Sequence, residues 1–418
     1  MGGEYPAEKL TIETHCKEKT NKSAIFTALR NNVLSTKRGG RSDEPAEPGT
    51  KSANISPAYS IIRAGATETF CGMPLAVSWA ITQMCNYKCS YCFGQYPLDH
   101  SRFTSLAYLK KAVAHIAELN RDTVMFTFSG GEPTTHPGLG ELIEHIHRTF
   151  AKRLQSVLVI SNGSRNPELY DRLTDNAGID RVRFNISLHT EFMEFEHITS
   201  LIERLSHKIP LSFNLMFNPL KRDYDKAIHQ KLCELRSSYP FTLHVIFLRR
   251  KPRFDTIDER YAPQDFEWQK QATEDFRRAT LKGPTMTFLP QRGYSGDIFW
   301  NYADPAHSYE KMAGRDRNTM LAEGNFNFRG MYCIPGSSLL CIAPDGTASG
   351  ARCSEAQKNY NIFYENPYRH KDFICPVRCS SANCGCSTND LLPKFASEEE
   401  AHDFAEMYRF RQMDRMTQ

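Results

Sequence analysis

The stretch Cys85-Asn86-Tyr87-Lys88-Cys89-Ser90-Tyr91-Cys92 sets three cysteines at C-x3-C-x2-C spacing directly after an apolar run, Leu75 to Ile81. Three thiolates so close in one short loop can converge on a soft metal centre, and such a set suits zinc or an iron–sulfur cluster. A structural zinc site is normally closed by four ligands, whereas three leave one coordination position open. The loop therefore reads as a place where a further ligand can be held at a metal centre.

Working outward, a second strand-like run, Thr123 to Phe128, ends in Ser129-Gly130-Gly131-Glu132-Pro133. Glycine lets a backbone approach a ligand closely and expose its amides and carbonyls, because it has no Cβ. The two motifs, in this order and each after a strand-like run, resemble those of the radical S-adenosylmethionine (radical SAM) superfamily. The resemblance implies that Cys85, Cys89 and Cys92 bind a 4Fe–4S cluster whose fourth iron chelates SAM. It also implies that Tyr91 lies against the adenine and that Gly130, Gly131, Glu132 and Pro133 form the loop holding the SAM amino group.

From Leu75 to about residue 282 the pattern alternates strand and helix, which indicates an α/β fold with a parallel sheet and crossover helices. The strands fall at Leu75–Thr82, Thr123–Phe128, Ser156–Ser161, Val182–Leu188, Leu211–Phe217 and Thr242–Leu248, with amphipathic stretches such as Leu106–Leu119, Leu139–Phe150 and Pro263–Ala279 between or after them. Six such units resemble the partial (β/α)6 TIM-type barrel of the radical SAM core. In β/α barrels ligands sit at the carboxyl ends of the strands, so those ends carry the candidates. Ser161-Asn162-Gly163 closes the third strand, and Ser187 and His189 close the fourth. By resemblance Asn162 and Ser187 join the SAM-binding set; a polar mouth that is merely wet is the competing reading. Asn214 and Asn218 flank the end of the fifth strand. Arg249, Arg250, Lys251 and Arg253 follow the sixth and could hold an oxyanion, although a solvated charge run is the preferred reading. His145 and His147 lie two apart on a helical stretch and are read as non-ligands, since helical ligand pairs sit at i, i+4.

The 418 residues carry 13 cysteines, seven of them between Cys333 and Cys386. Cys333-Ile-Pro-Gly336 opens this second group, Ala343-Pro-Asp-Gly346 signals a hairpin turn, and Cys353, Cys375, Cys379, Cys384 and Cys386 follow. Cysteines beside tight turns suit a small domain held together by metal. The group resembles the SPASM/twitch extensions of radical SAM enzymes, and by that resemblance Cys333, Cys353, Cys375, Cys379, Cys384 and Cys386 bind one or two auxiliary 4Fe–4S clusters. Its spacings depart from the full SPASM pattern, Cys341 has no counterpart there, and a zinc ribbon is the alternative that spacing alone allows.

The organisation expected is a partly disordered N-terminal extension (1–70), the core barrel (71–282), a linker (283–330), the auxiliary-cluster domain (331–396) and a C-terminal helix (397–418). Ser397 and Glu400 form its capping box, and Phe404, Met407 and Tyr408 its packing stripe. A net charge of +4, from 52 basic and 48 acidic residues, argues against nucleic acid or a membrane surface as partner. No apolar run spans a bilayer and no secretory signal is visible, so the expected location is cytoplasmic. The resemblance implies reductive cleavage of SAM by a flavodoxin- or ferredoxin-type donor to a 5′-deoxyadenosyl radical, which abstracts hydrogen from a substrate C–H bond. A small metabolite, oxidised, cross-linked or epimerised, is preferred over a ribosomal peptide, because no peptide-binding winged helix is legible ahead of the barrel. A non-enzymatic zinc-binding interaction protein is the reading from another class, and it leaves the GGEP motif and the six strand–helix units unexplained.

Overall fold

In a computed structural model the described residues are 74–92, 103–175, 181–249, 257–279, 328–380, 392, 394–395 and 397–417. All of them belong to one unit of the chain, Ile55–Gln418. Six strand–helix units run in order: β1 (Leu75–Thr82), α1 (Leu106–Ala117), β2 (Val124–Gly130), α2 (Leu139–Phe150), β3 (Leu154–Ser161), α3 (Pro167–Asp175), β4 (Val182–Leu188), α4 (Phe195–Leu205), β5 (Leu211–Phe217), α5 (Arg222–Arg236), β6 (Thr242–Phe247) and α6 (Pro263–Arg278). Strands β1 to β6 are neighbours in sequence order and all parallel, in a barrel-like arrangement.

The two faces of this sheet differ in chemistry. In β4, Val182, Phe184, Ile186 and Leu188 are buried while Arg183, Asn185 and Ser187 are half-buried. The helices supply matching apolar stripes, such as Leu109, Ala112, Val113 and Ile116 on α1 and Leu142, Ile143 and Ile146 on α2, at the spacing of one helical face. These residues and Trp79, Phe126, Phe128 and Phe184 form one hydrophobic cluster. Parallel sheets normally read as apolar on both faces. Here the helix-covered face is apolar, and the opposite, interior face carries Ser78, Thr127, Ser156, Arg183, Asn185, Ser212 and Asn214, placed there by the strand register.

The C-terminal segment does not stand apart from the barrel. Its strand β8 (Leu339–Ile342) pairs in parallel with β1, Ala76 opposite Leu339 and Ser78 opposite Cys341. Strands β9 (Thr347–Ser349) and β10 (Tyr360–Asn361) continue that sheet antiparallel. The expected hairpin turn joins β8 to β9 with Gly346 at φ +88°, where a Cβ would meet the Phe363 ring at 2.3 Å. Cys341 is thereby a buried member of the barrel core. A separate three-stranded sheet has β7 (Tyr332–Cys333) between β11 (Val377–Arg378) and β12 (Lys394–Phe395).

The final helix, α7 (Glu398–Thr417), buries Phe404 and Tyr408 as the stripe requires, with Met407 half-buried, and the Ser397 hydroxyl accepts from Glu400 N at 3.4 Å. Sequence periodicity did not reveal its polar anchor. Arg121, almost fully buried, donates to Ser337 O (3.2 Å), Gln412 Oε1 (3.1 Å) and the Tyr408 hydroxyl. One guanidinium thus ties the start of β2, the segment before β8 and α7 together. The expected N-terminal extension and nearly all of the expected linker lie outside the described residues.

Candidate active site at the strand ends

The cysteine loop leaves β1 at Thr82 and is fastened to the carboxyl ends of the next four strands. Gly131 N donates to Thr82 O (2.9 Å) and Glu132 N to Met84 O (2.6 Å), so the β2 loop grips the residues just before Cys85. Asn162 Nδ2, after β3, donates to Asn86 Oδ1 (2.9 Å), and Asn86 Nδ2 donates to Ser164 Oγ (2.8 Å). After β4, the Tyr91 hydroxyl meets His189 Nδ1 at 2.9 Å with the rings stacked. Glu191 accepts from Ser90 N (2.7 Å) and Ser90 Oγ (2.5 Å), and Asn218, after β5, donates to the same carboxylate (3.1 Å). Tyr87 completes the set by stacking on Phe192, ring centroids 5.3 Å apart.

The two glycines of the second motif are required by this packing. A Cβ on Gly130, at φ +128°, would lie 2.2 Å from Thr82 O, and one on Gly131 would lie 1.9 Å from Met84 O. Both obstacles are backbone, which cannot swing away. Glu132 is 1% exposed. Its Oε1 accepts from Thr134 N (3.0 Å), Thr134 Oγ1 (2.6 Å) and Ser161 Oγ (2.9 Å), and its Oε2 from Asn162 N (2.5 Å). Burial raises this carboxyl's proton affinity, and the four donors oppose that rise. The carboxylate thus joins the β2 and β3 ends that hold the cysteine loop. Pro133, also buried, opens a short 3-10 turn after it.

Cys85, Cys89 and Cys92 are half-buried and none is in a disulfide. Burial raises the Cys85 pKa; burial, with the Glu191 charge second, pushes Cys89 up to about 12. Burial lowers His189 to about 4, so its imidazole is neutral near pH 7. Among the described residues no three His, Cys, Asp or Glu side chains are gathered to hold a single metal ion. The donor set is instead three thiols around one rigid loop, which fits a cluster with thiolate ligands and one open position.

The sequence candidates therefore meet at one place: the three cysteines, Tyr91, the Gly130–Pro133 loop and Asn162 adjoin one another, and Ser187 lies on the interior face of β4 two residues before His189. Glu191 was missed, although it lies only two residues beyond His189. Its signal is only spatial, since its partners Ser90 and Asn218 come from distant loops. Replacing Glu191 with Gln turns an amide donor towards donors and removes a charged acceptor, a loss of about 1.5–3 kcal/mol per bond. Alkylation of Cys89 by iodoacetamide in cluster-free protein is expected to speed up at least about tenfold; an unchanged rate would show that Glu191 does not hold the loop.

In the C-terminal segment Cys333 sits on the central strand β7, paired with Val377 of β11, which Cys375 and Cys379 flank. Cys379 N donates to Met331 O (2.8 Å), and Gly330 N to Cys379 O (2.9 Å). Glu355, two residues after Cys353, accepts from Ser380, next to Cys379. The topology so brings Cys333, Cys353, Cys375 and Cys379 to one region, while Cys341 lies in the barrel sheet. Cys384 and Cys386 lie outside the described residues, as do Arg250, Lys251 and Arg253 of the cationic run.

A family model described as the radical SAM superfamily matches residues 79–207. A GTP 3',8-cyclase from Haemophilus ducreyi is 33% identical over 242 residues, covering 52% of this chain and 67% of the relative. A GTP 3',8-cyclase from Syntrophomonas wolfei is 27% identical over 190 residues, covering 43% and 56% respectively. A PqqA peptide cyclase from Bradyrhizobium diazoefficiens is 40% identical over 79 residues, covering 19% and 20%. The chain thus spans little more than half of the Syntrophomonas relative and a fifth of the Bradyrhizobium one. No helix among the described residues is long and apolar enough to cross a membrane.

Proposed function

Because this chain belongs to the radical SAM superfamily, we propose that it is an enzyme that cleaves SAM reductively and removes a hydrogen atom from a C–H bond of a small metabolite. The observation that carries this reading is the cysteine loop fixed to four strand ends, with the glycine loop and Asn162 beside its three thiols. When bound, a 4Fe–4S cluster and SAM supply the electron transfer and the 5′-deoxyadenosyl radical. The chain's own contribution is position. Cys85, Cys89 and Cys92 would hold such a cluster by three thiolates, with one coordination position open for SAM. Glu132, Asn162 and Glu191 hold the loop still, and Tyr91 and Ser187 line the space next to it. Such rigid support keeps reacting groups in a productive geometry.

A flavodoxin- or ferredoxin-type protein is the proposed electron donor. Cys333, Cys353, Cys375 and Cys379, with Cys384 and Cys386, are proposed to hold one or two auxiliary clusters, which suits an oxidative outcome. The small-molecule reading is supported by relatives named GTP 3',8-cyclase. A peptide substrate is the second reading, favoured by the relative named PqqA peptide cyclase. After anaerobic reconstitution with iron and sulfide, the protein is expected to release 5′-deoxyadenosine from SAM when dithionite is added. Full cluster loading without any 5′-deoxyadenosine would defeat the proposal.

A further inference from the structure

Midway along the barrel interior runs one row of residues set by the strand register: Cys341 opposite Ser78, Ser78 opposite Thr127, Thr127 opposite Leu158, and Leu158 opposite Arg183. Ser78 is four residues before the end of β1, roughly 13 Å below the cysteine loop at about 3.3 Å per residue. Into this row reaches Arg352 from the C-terminal segment, its Nη2 donating to Ser78 Oγ at 2.5 Å. Arg352 is otherwise exposed, while the serine it reaches is itself buried. Among the described residues Arg352 pairs with no carboxylate; the Ser78 hydroxyl is its one hydrogen-bond partner. Thr127 is 3% exposed, and its hydroxyl is buried without a hydrogen-bond partner. An unfilled hydroxyl in such a place costs free energy unless something else completes it.

We propose that Arg352, with the hydroxyls of Ser78 and Thr127, forms an oxyanion subsite inside the barrel, and that the substrate carries a phosphoryl or carboxylate group that docks there. A guanidinium fork and two hydroxyl donors match the oxygens of such a group. Arg352 directly precedes Cys353, so an anchored substrate lies between the radical-forming loop and the C-terminal cysteines. The substrate assignment rests on the radical SAM reading; binding of the anion does not.

The test is titration of the full chain, without cluster, by inorganic phosphate and by malonate at constant chloride, followed by calorimetry and melting temperature. Saturable binding of one probe is expected, with R352Q weakening it at least tenfold while melting within about 2 °C of the parent in the absence of anion. T127V, which removes the unpartnered hydroxyl, is expected to weaken binding as well. Phosphate binding alone identifies a phosphoryl group, malonate binding alone a carboxylate. A parent chain that binds neither probe, or an R352Q chain that binds as tightly as the parent, overturns the subsite. If 5′-deoxyadenosine formation survives such a result, only the subsite falls.

Discussion

Changing Cys85, Cys89 and Cys92 together to alanine is expected to abolish SAM cleavage, by more than about a thousandfold, and to lower bound iron by one cluster's worth, about four atoms per chain. The argument for a clean loss lies in how the loop is fastened. Its anchors are Met84 O, Asn86, Ser90 and Tyr91, and none of the four uses a cysteine side chain. The thiols can therefore be removed with the loop still in place, and the melting temperature of the cluster-free triple variant should stay within a few degrees of the parent. Iron and sulfide analysis after anaerobic reconstitution reads the outcome. Iron left in the variant then counts what the C-terminal cysteines hold: about four atoms for one auxiliary cluster and about eight for two. Zinc in place of iron, with no loss in the variant, would mean that the loop is not a cluster site.

The second large effect is expected at Gly131. An alanine there puts its Cβ 1.9 Å from Met84 O and 2.4 Å from Met84 C, a contact that only backbone movement can relieve. Moving the loop breaks the bonds from Gly131 N and Glu132 N and pulls Glu132 from its four donors. Overpacking of about 1–3 kcal/mol, with two hydrogen bonds at about 1 kcal/mol each, gives a loss of about 3–5 kcal/mol. Melting should fall by roughly 3–6 °C, at about 1 °C per kcal/mol for a chain of this length, and iron loading should fall with it. Gly330 is the control. It has φ +88° and nothing within 4 Å of where a Cβ would lie, so alanine there costs only the backbone strain of about 1–2 kcal/mol. Equal melting of G131A and the parent would refute the close-packing account of the motif.

How much of this was legible beforehand follows from the range of each interaction. The six strands were readable because β-branched and aromatic residues alternate or cluster locally; β1, β4 and β5 have the expected limits, and β2, β3 and β6 shift by one to two residues at their ends. The cysteine spacing and the GGEP loop were readable as short motifs. The purpose of the glycines was only half readable: an open backbone was expected, but the neighbour that needs it is Met84, about fifty residues earlier in the chain. Glu191, Arg121 and the Arg352–Ser78 bond were not readable at all. Each joins elements far apart in sequence, and no periodicity or spacing marks a side chain whose partner is chosen by topology. The same reason hid β8, whose four residues look like an ordinary buried strand until the sheet shows β1 beside them.

That pairing has a consequence for how the chain is made. Strand β1 is synthesised early and its partner β8 late, and at roughly 5–20 residues per second the two are separated by on the order of ten to fifty seconds of translation. During that interval one flank of β1 has β2 beside it, while the other offers unpaired amides and carbonyls along an apolar strand, the kind of edge that recruits other chains. Loop closure over so long a stretch is slow in any case. The nascent protein thus passes through a sticky stage that ends only when the C-terminal segment arrives, so the cysteines of that segment travel with the strand that covers the open edge of β1.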